Sequence, residues 1–118
     1  MNCLLAGGMM LVLTSPGFSL HWTHSVEQVE WAEEWRILSD GLQLTQARVK
    51  GSGAGMEPGD GAELIGGWWV WSPGTVVKEL RLAASGATGA GWRLCDGANC
   101  HELGAASGQA VVIAPCGE

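Results

Sequence analysis

The side chains best suited to chemistry cluster early in the chain, as His21, His24, Ser25, Glu27, Glu30, Glu33 and Glu34. Imidazoles and carboxylates are the groups of general acid and base catalysis, and they also ligate divalent metals. On one extended strand His24 and Ser25 point to opposite faces, so a nucleophile and base built from that pair alone do not meet. A metal pair needs residues of one face, either His21 with Ser25 and Glu27, or His24 met across a hairpin by Glu33. The second arrangement sets a histidine opposite a carboxylate among tryptophans, where desolvation favours their pairing. Two readings follow: a structural ion pair that pins a hairpin, which is the favoured one, and a metal-dependent enzyme using His24 with Glu33 or Glu27.

A second candidate is the glycine-rich stretch Gly51-Ser52-Gly53-Ala54-Gly55-Met56. Alternating glycines let backbone N–H groups converge on an anion. No Lys-Ser or Lys-Thr pair follows, and Glu57 and Pro58 stand where a phosphate-binding loop begins its helix. A backbone nest for a carboxylate remains, beside the plain reading of a tight β turn. Cysteines at 3, 95, 100 and 116 form an even set. Cys95 and Cys100 flank a turn that can close a small disulfide loop, and Cys3 can meet Cys116 if the terminal strands pair. The rival is a zinc site from Cys95, Cys100, His101 and a third cysteine, but four residues separate the first two ligands where two are usual.

The elements that must position these groups read as β. Residues 18–26 alternate, with Phe18, Leu20, Trp22, His24 and Val26 on one face and Ser19, His21, Thr23, Ser25 and Glu27 on the other. In the next segment Ser25 with Gln28 fits a helical capping box and Trp31 with Trp35 fits helical spacing. As a strand, the same residues put Trp31, Glu33, Trp35 and Ile37 opposite Glu30, Ala32, Glu34 and Arg36; Trp and Ile suit strands, and a hairpin is the preferred reading. Residues 42–50 change face partway, which predicts a bulge. Short strands are expected over 9–13, 68–71, 79–83, 91–95 and 110–114, with a further short one at Leu4 and Leu5. Turns fall at Gly7-Gly8, Ser15-Pro16-Gly17, Ser39-Asp40-Gly41, Ser72-Pro73-Gly74 and Ser85-Gly86, and residues 51–61 form the long loop.

Composition agrees with one all-β domain over 1–118, a small antiparallel sandwich or partly open barrel of short strands joined by glycine-rich turns. The 118 residues leave room for no second domain, and 47% apolar with 15% charged residues excludes disorder. Nineteen glycines work against long helices, and seven tryptophans beside one phenylalanine and no tyrosine serve mainly as core. A net charge of -6 lacks the basic footprint of nucleic-acid binding. No membrane anchor is firm, because the apolar run from Cys3 to Leu13 is too short to span a bilayer. It fits the core of a signal peptide in length, yet no Lys or Arg precedes it and its cleavage pattern is weak, so a strand is preferred.

Several motifs combine in order: Leu20-His21-Trp22-Thr23-His24-Ser25-Val26-Glu27, Trp31-Ala32-Glu33-Glu34-Trp35-Arg36, Arg48-Val49-Lys50-Gly51-Ser52-Gly53-Ala54-Gly55-Met56, and Trp92-Arg93-Leu94-Cys95 with Cys100. Over nearly its whole length the chain resembles the bacterial family known as domain of unknown function 1850. The resemblance implies a setting beside tripartite ATP-independent periplasmic (TRAP) transporters of the TAXI type, and no activity, cofactor or catalytic residue set. The shared surface it implies consists of His24, Ser25, Glu27, Glu33, Arg36, Gly53 and Gly55. The expected role is an accessory protein, not an enzyme, binding a transporter subunit or a small acidic solute through the Trp-rich hairpin and the glycine loop. A cell-envelope or periplasmic location fits this setting and paired cysteines, whereas the lack of a convincing signal peptide fits the cytoplasm.

Overall fold

A computed structural model describes residues 2–23, 29–50, 61–83, 91–97, 99–104 and 108–116. Among them are twelve strands: β1 (Cys3–Ala6), β2 (Met9–Val12), β3 (Gly17–Thr23), β4 (Glu30–Ile37), β5 (Leu42–Lys50), β6 (Glu63–Ile65), β7 (Trp68–Trp71), β8 (Val76–Val77), β9 (Leu80–Leu82), β10 (Trp92–Asp96), β11 (Asn99–Leu103) and β12 (Val111–Pro115). They form two antiparallel sheets. The smaller has the order β2-β1-β12-β9, and the larger β11-β10-β3-β4-β5-β7-β6, with β8 added at the start of β5. The fold is therefore all-β and sandwich-like, and neither sheet closes into a barrel. No helix among the described residues is long and apolar enough to cross a membrane.

Period-two alternation explains the packing. Phe18 and Leu20 of β3, Trp35 of β4, Leu42 of β5, Leu94 of β10 and Leu103 of β11 bury one face of the large sheet. They meet Leu4, Ala6, Leu11, Leu82 and Ile113 of the small sheet. Leu4, Leu20, Leu42, Leu94 and Ile113 are fully enclosed, each side chain contributing about 1.5–3 kcal/mol by leaving water. The bulge expected in β5 lies at Thr45. Gln46 pairs with Glu34 and Leu44 with Trp35, so Thr45 has no partner in the ladder. Its hydroxyl donates to the Glu34 carbonyl at 3.1 Å. One extra residue returns Leu42, Leu44, Ala47 and Val49 to a single inward face, as their burial requires.

The N-terminal apolar run is built into the sandwich. Gly7 and Gly8, both at positive φ (57° and 87°), make the two-residue turn that folds β2 onto β1. Leu4, Leu11 and Leu13 are buried. β1 also pairs with β12, and the Cys3–Cys116 disulfide ties the two together with Cα atoms 5.4 Å apart. A second disulfide joins Cys95 to Cys100, which oppose each other directly on β10 and β11. Cys95 and Cys100 thus hold each other, and neither offers the thiolate that the zinc alternative needs.

Sequence reading departs from the structure in extent more than in kind. Strand β3 runs to Thr23, the rest of the expected 18–26 lying outside the described residues, and β6, β8 and β11 were not anticipated. Each of these is polar, very short or hidden behind the Cys95-to-Cys100 turn. The helical alternative for residues 30–37 is replaced by β4, whose Trp31, Glu33 and Trp35 share a face as the strand reading has it.

Candidate functional site

Opposed residues of neighbouring strands share a face, so the register lays out the surface of the large sheet turned away from the small one. Its central row runs Glu102 (β11), Arg93 (β10), His21 (β3), Ala32 (β4), Arg48 (β5), Val70 (β7) and Glu63 (β6). Neighbouring rows on the same face add Ser19, Thr23, Glu30, Glu34, Gln46, Lys50, Trp68 and Ile65. Arg36 follows Glu34 on this face of β4, so four of the six Lys and Arg residues sit on one face of an acidic protein, mixed with carboxylates.

Among the concavities of this face, one carries Arg48 and another Arg93. Near β6 and β7, a shallow groove is lined by Gln46, Arg48, Ile65, Trp68 and Val70. The Arg48 guanidinium lies 5.4 Å from the Trp68 ring centroid and the Lys50 ammonium 5.6 Å, both within cation–π range. Arg48 also reaches Glu34 at 3.4 Å and Gln46 at 3.3 Å. At the β3–β10 side, a cleft of about 190 Å³ is lined by His21, Trp22, Thr23, Glu30, Gly91, Arg93 and Glu102. His21 Nε2 lies 2.8 Å from the Ser19 hydroxyl. Partial burial, then the positive charges of Arg93 and Arg48, hold its pKa below the ordinary 6.5 against the opposite pull of Glu30.

The opposite, inward face carries the aromatic chain. Trp92 packs on Trp22 (4.7 Å between centroids), Trp22 stacks on Trp31 (5.9 Å), and Trp31 meets Trp71 edge-on (6.1 Å). Such contacts contribute about 0.5–1.5 kcal/mol each beyond area burial. Trp22 and Trp92 pack against the main core.

Glu33 lies on this inward face, opposite Leu20 and Ala47. Burial raises its pKa above the ordinary 4.5, only partly offset by Trp35, whose Nε1 donates to Oε1 at 3.0 Å. A folded-state pKa above the unfolded one stabilises the fold fully below about pH 4.5 and loses that contribution as pH rises through the raised value. Glu33→Gln keeps an oxygen for Trp35 and removes the charge. Measured by urea unfolding, E33Q is therefore expected to gain on the native protein between pH 4.5 and pH 8. A constant difference across that range would reject a buried, costly carboxylate. Glu33→Ala, which strands the Trp35 N–H, should lose about 1–3 kcal/mol.

The expected pairing of His24 with Glu33 falls on residue 24, outside the described residues. The register sets Glu33 opposite Leu20, and Thr23 opposite Glu30. Arg36 and Glu33 occupy opposite faces of β4, with Arg36 exposed beside Pro16 and Gly17, so these two expected surface residues do not share a patch. His24, Ser25, Glu27, Gly53 and Gly55 lie outside the described residues. Among the described residues no group of three or more His, Cys, Asp or Glu side chains could hold a metal ion. His21, a candidate from the sequence, lies on this outward face, whereas Arg93, Arg48 and Trp68 were missed as site candidates; the signal for Arg48 was the alternation of residues 42–50.

A family model for a domain of unknown function, DUF1850, matches residues 18–103. That segment runs from Phe18 in β3 to Leu103 in β11, which takes in nearly all of the large sheet and leaves β1, β2 and β12 outside. No curated protein and no solved structure matches the chain. A match over well more than half of the residues, including both concavities just described, places this chain in the DUF1850 family.

Proposed function

We propose that the protein is a non-enzymatic binding module that serves a TAXI-type TRAP transport system, taking up a transporter subunit or a small acidic solute. The transporter setting rests on the resemblance noted from the sequence. The observation that carries a binding role is the groove at β6 and β7, where Arg48 and Lys50 both lie over Trp68. The described residues lining it include no carboxylate, the carboxylate partner of Arg48 being Glu34 at 3.4 Å, although the chain as a whole is strongly acidic. Two cations on an aromatic platform suit a carboxylate, from a free solute or an acidic segment of a partner, because the ring gives area and the cations give charge. The glycine loop of the expected patch lies outside the described residues, so the reading is argued from this groove.

The test follows tryptophan fluorescence while the purified protein is titrated with small mono- and dicarboxylates and, separately, with the solute-binding and membrane subunits of the transporter. Saturable binding to one of these, weakened at least tenfold by Lys50→Gln with Trp68→Ala, supports the reading. Binding to none, or binding indifferent to both substitutions, overturns it.

A further inference from the structure

The cleft at the β3–β10 side has a different electrostatic character from the groove. Arg93 and Glu102 stand directly opposite each other on β10 and β11, and Glu30 closes the far side from β4, opposite Thr23. All three side chains are exposed. Among the described residues no ion pair joins Arg93 to Glu102, to Glu30 or to any other carboxylate. Exposed pairs contribute little to folding even when formed, and these three charges, held apart around one hollow, add less.

A ligand carrying only a carboxylate meets two carboxylates there, and a ligand carrying only an ammonium meets a guanidinium. A molecule with both charges on one carbon satisfies both kinds of wall. The cleft volume of about 190 Å³ is below the usual range for drug-sized ligands, which restricts the occupant to a small molecule. We infer that the cleft lined by Arg93, Glu102, Glu30 and Thr23 is a binding site for a small zwitterion of the α-amino-acid class. Its carboxylate goes to the Arg93 fork, the Thr23 hydroxyl donates a further hydrogen bond, and its ammonium goes to Glu102 or Glu30. The inference stands apart from the acidic-ligand groove, which lies across the sheet on β5 and β7.

The Trp22 ring packs 4.7 Å from Trp92 on the opposite face, so binding is read by isothermal titration calorimetry. The probes are L-alanine, propionate, which is alanine without its ammonium, and ethylamine, which is alanine without its carboxylate, so that they carry both charges, the negative one only, and the positive one only. L-Alanine is expected to bind at least tenfold more tightly than either of the others. Arg93→Gln should weaken it tenfold or more, and at least one of Glu102→Gln and Glu30→Gln should do the same. Because the three side chains are exposed, circular dichroism of each variant should match the native protein. Lys50→Gln with Trp68→Ala should leave alanine binding unchanged, which separates this site from the groove. The inference is overturned if L-alanine does not bind, if propionate or ethylamine binds as tightly, or if neither carboxylate variant loses affinity.

Discussion

The double variant C3S/C116S is expected to lose about 5 kcal/mol of unfolding free energy in urea. The bond closes a loop with a sequence separation of 113 residues, so in the chain-entropy account it restricts nearly the whole unfolded molecule. The native side adds to the loss. Cys3 is 2% exposed and lies in β1, which holds β2 on one side and β12 on the other. Opening the bond therefore loosens the centre of the small sheet rather than a frayed end. The comparison is C95S/C100S, whose loop spans 5 residues and whose loss by the same scaling is about 2 kcal/mol. A domain of this size has a total stability of roughly 5–15 kcal/mol, so the first variant should be partly unfolded at physiological temperature and the second should not. Equal losses in the two variants would show that loop length does not govern their contribution.

The second large effect is expected at Asp96, which is 4% exposed at the end of β10. Its carboxylate accepts from the Thr14 backbone N–H at 2.8 Å and from the Thr14 hydroxyl at 2.7 Å. Thr14 lies in the passage from β2 in the small sheet to β3 in the large one. The pair thus fixes the crossing between layers at a point 82 residues away along the chain. Asp96→Ala removes two charge-assisted hydrogen bonds from a buried carboxylate to the exposed Thr14, for an expected loss of about 2–3 kcal/mol. Asp96→Asn retains one acceptor oxygen and should lose about half as much. Thr14→Val, which removes only the hydroxyl, should fall near Asn. These differences are read from urea midpoints at constant m-value. A loss below 1 kcal/mol for Asp96→Ala would show that the crossing is held by its neighbours instead.

Asp96 also marks where sequence reading stops. Its place between Cys95 and Gly97 suggests a turn residue, and nothing local reveals a partner at position 14. Face assignments were legible because alternation in residues 18–22 and 30–37 encodes inside and outside directly. The bulge at Thr45 was legible as a change of phase. The positions of the cysteines, near both ends and across one turn, limited their pairings to a few, and the structure forms two of them. Register was not legible, because it depends on the connection between two strands and not on the strands themselves. The register sets Thr23 against Glu30 and Glu33 against Leu20, where the Glu33 carboxylate accepts from Trp35. The surface charges were equally hidden. Arg93, Glu102 and Glu30 come from three strands, and only the sheet order brings them to one hollow.

Joining Cys3 to Cys116 makes the backbone between them a covalent ring. Cutting a ring once linearises it without releasing a piece. A protease that nicks the Gly66–Gly67 turn of the β6–β7 hairpin would leave the molecule at its full mass plus one water, and the two fragments would part only on reduction. The remaining strand pairs would still hold both halves in place. In a protease-rich surrounding, a break at one exposed turn is thus a wound the fold can carry, and losing material takes a second cut or a reductant.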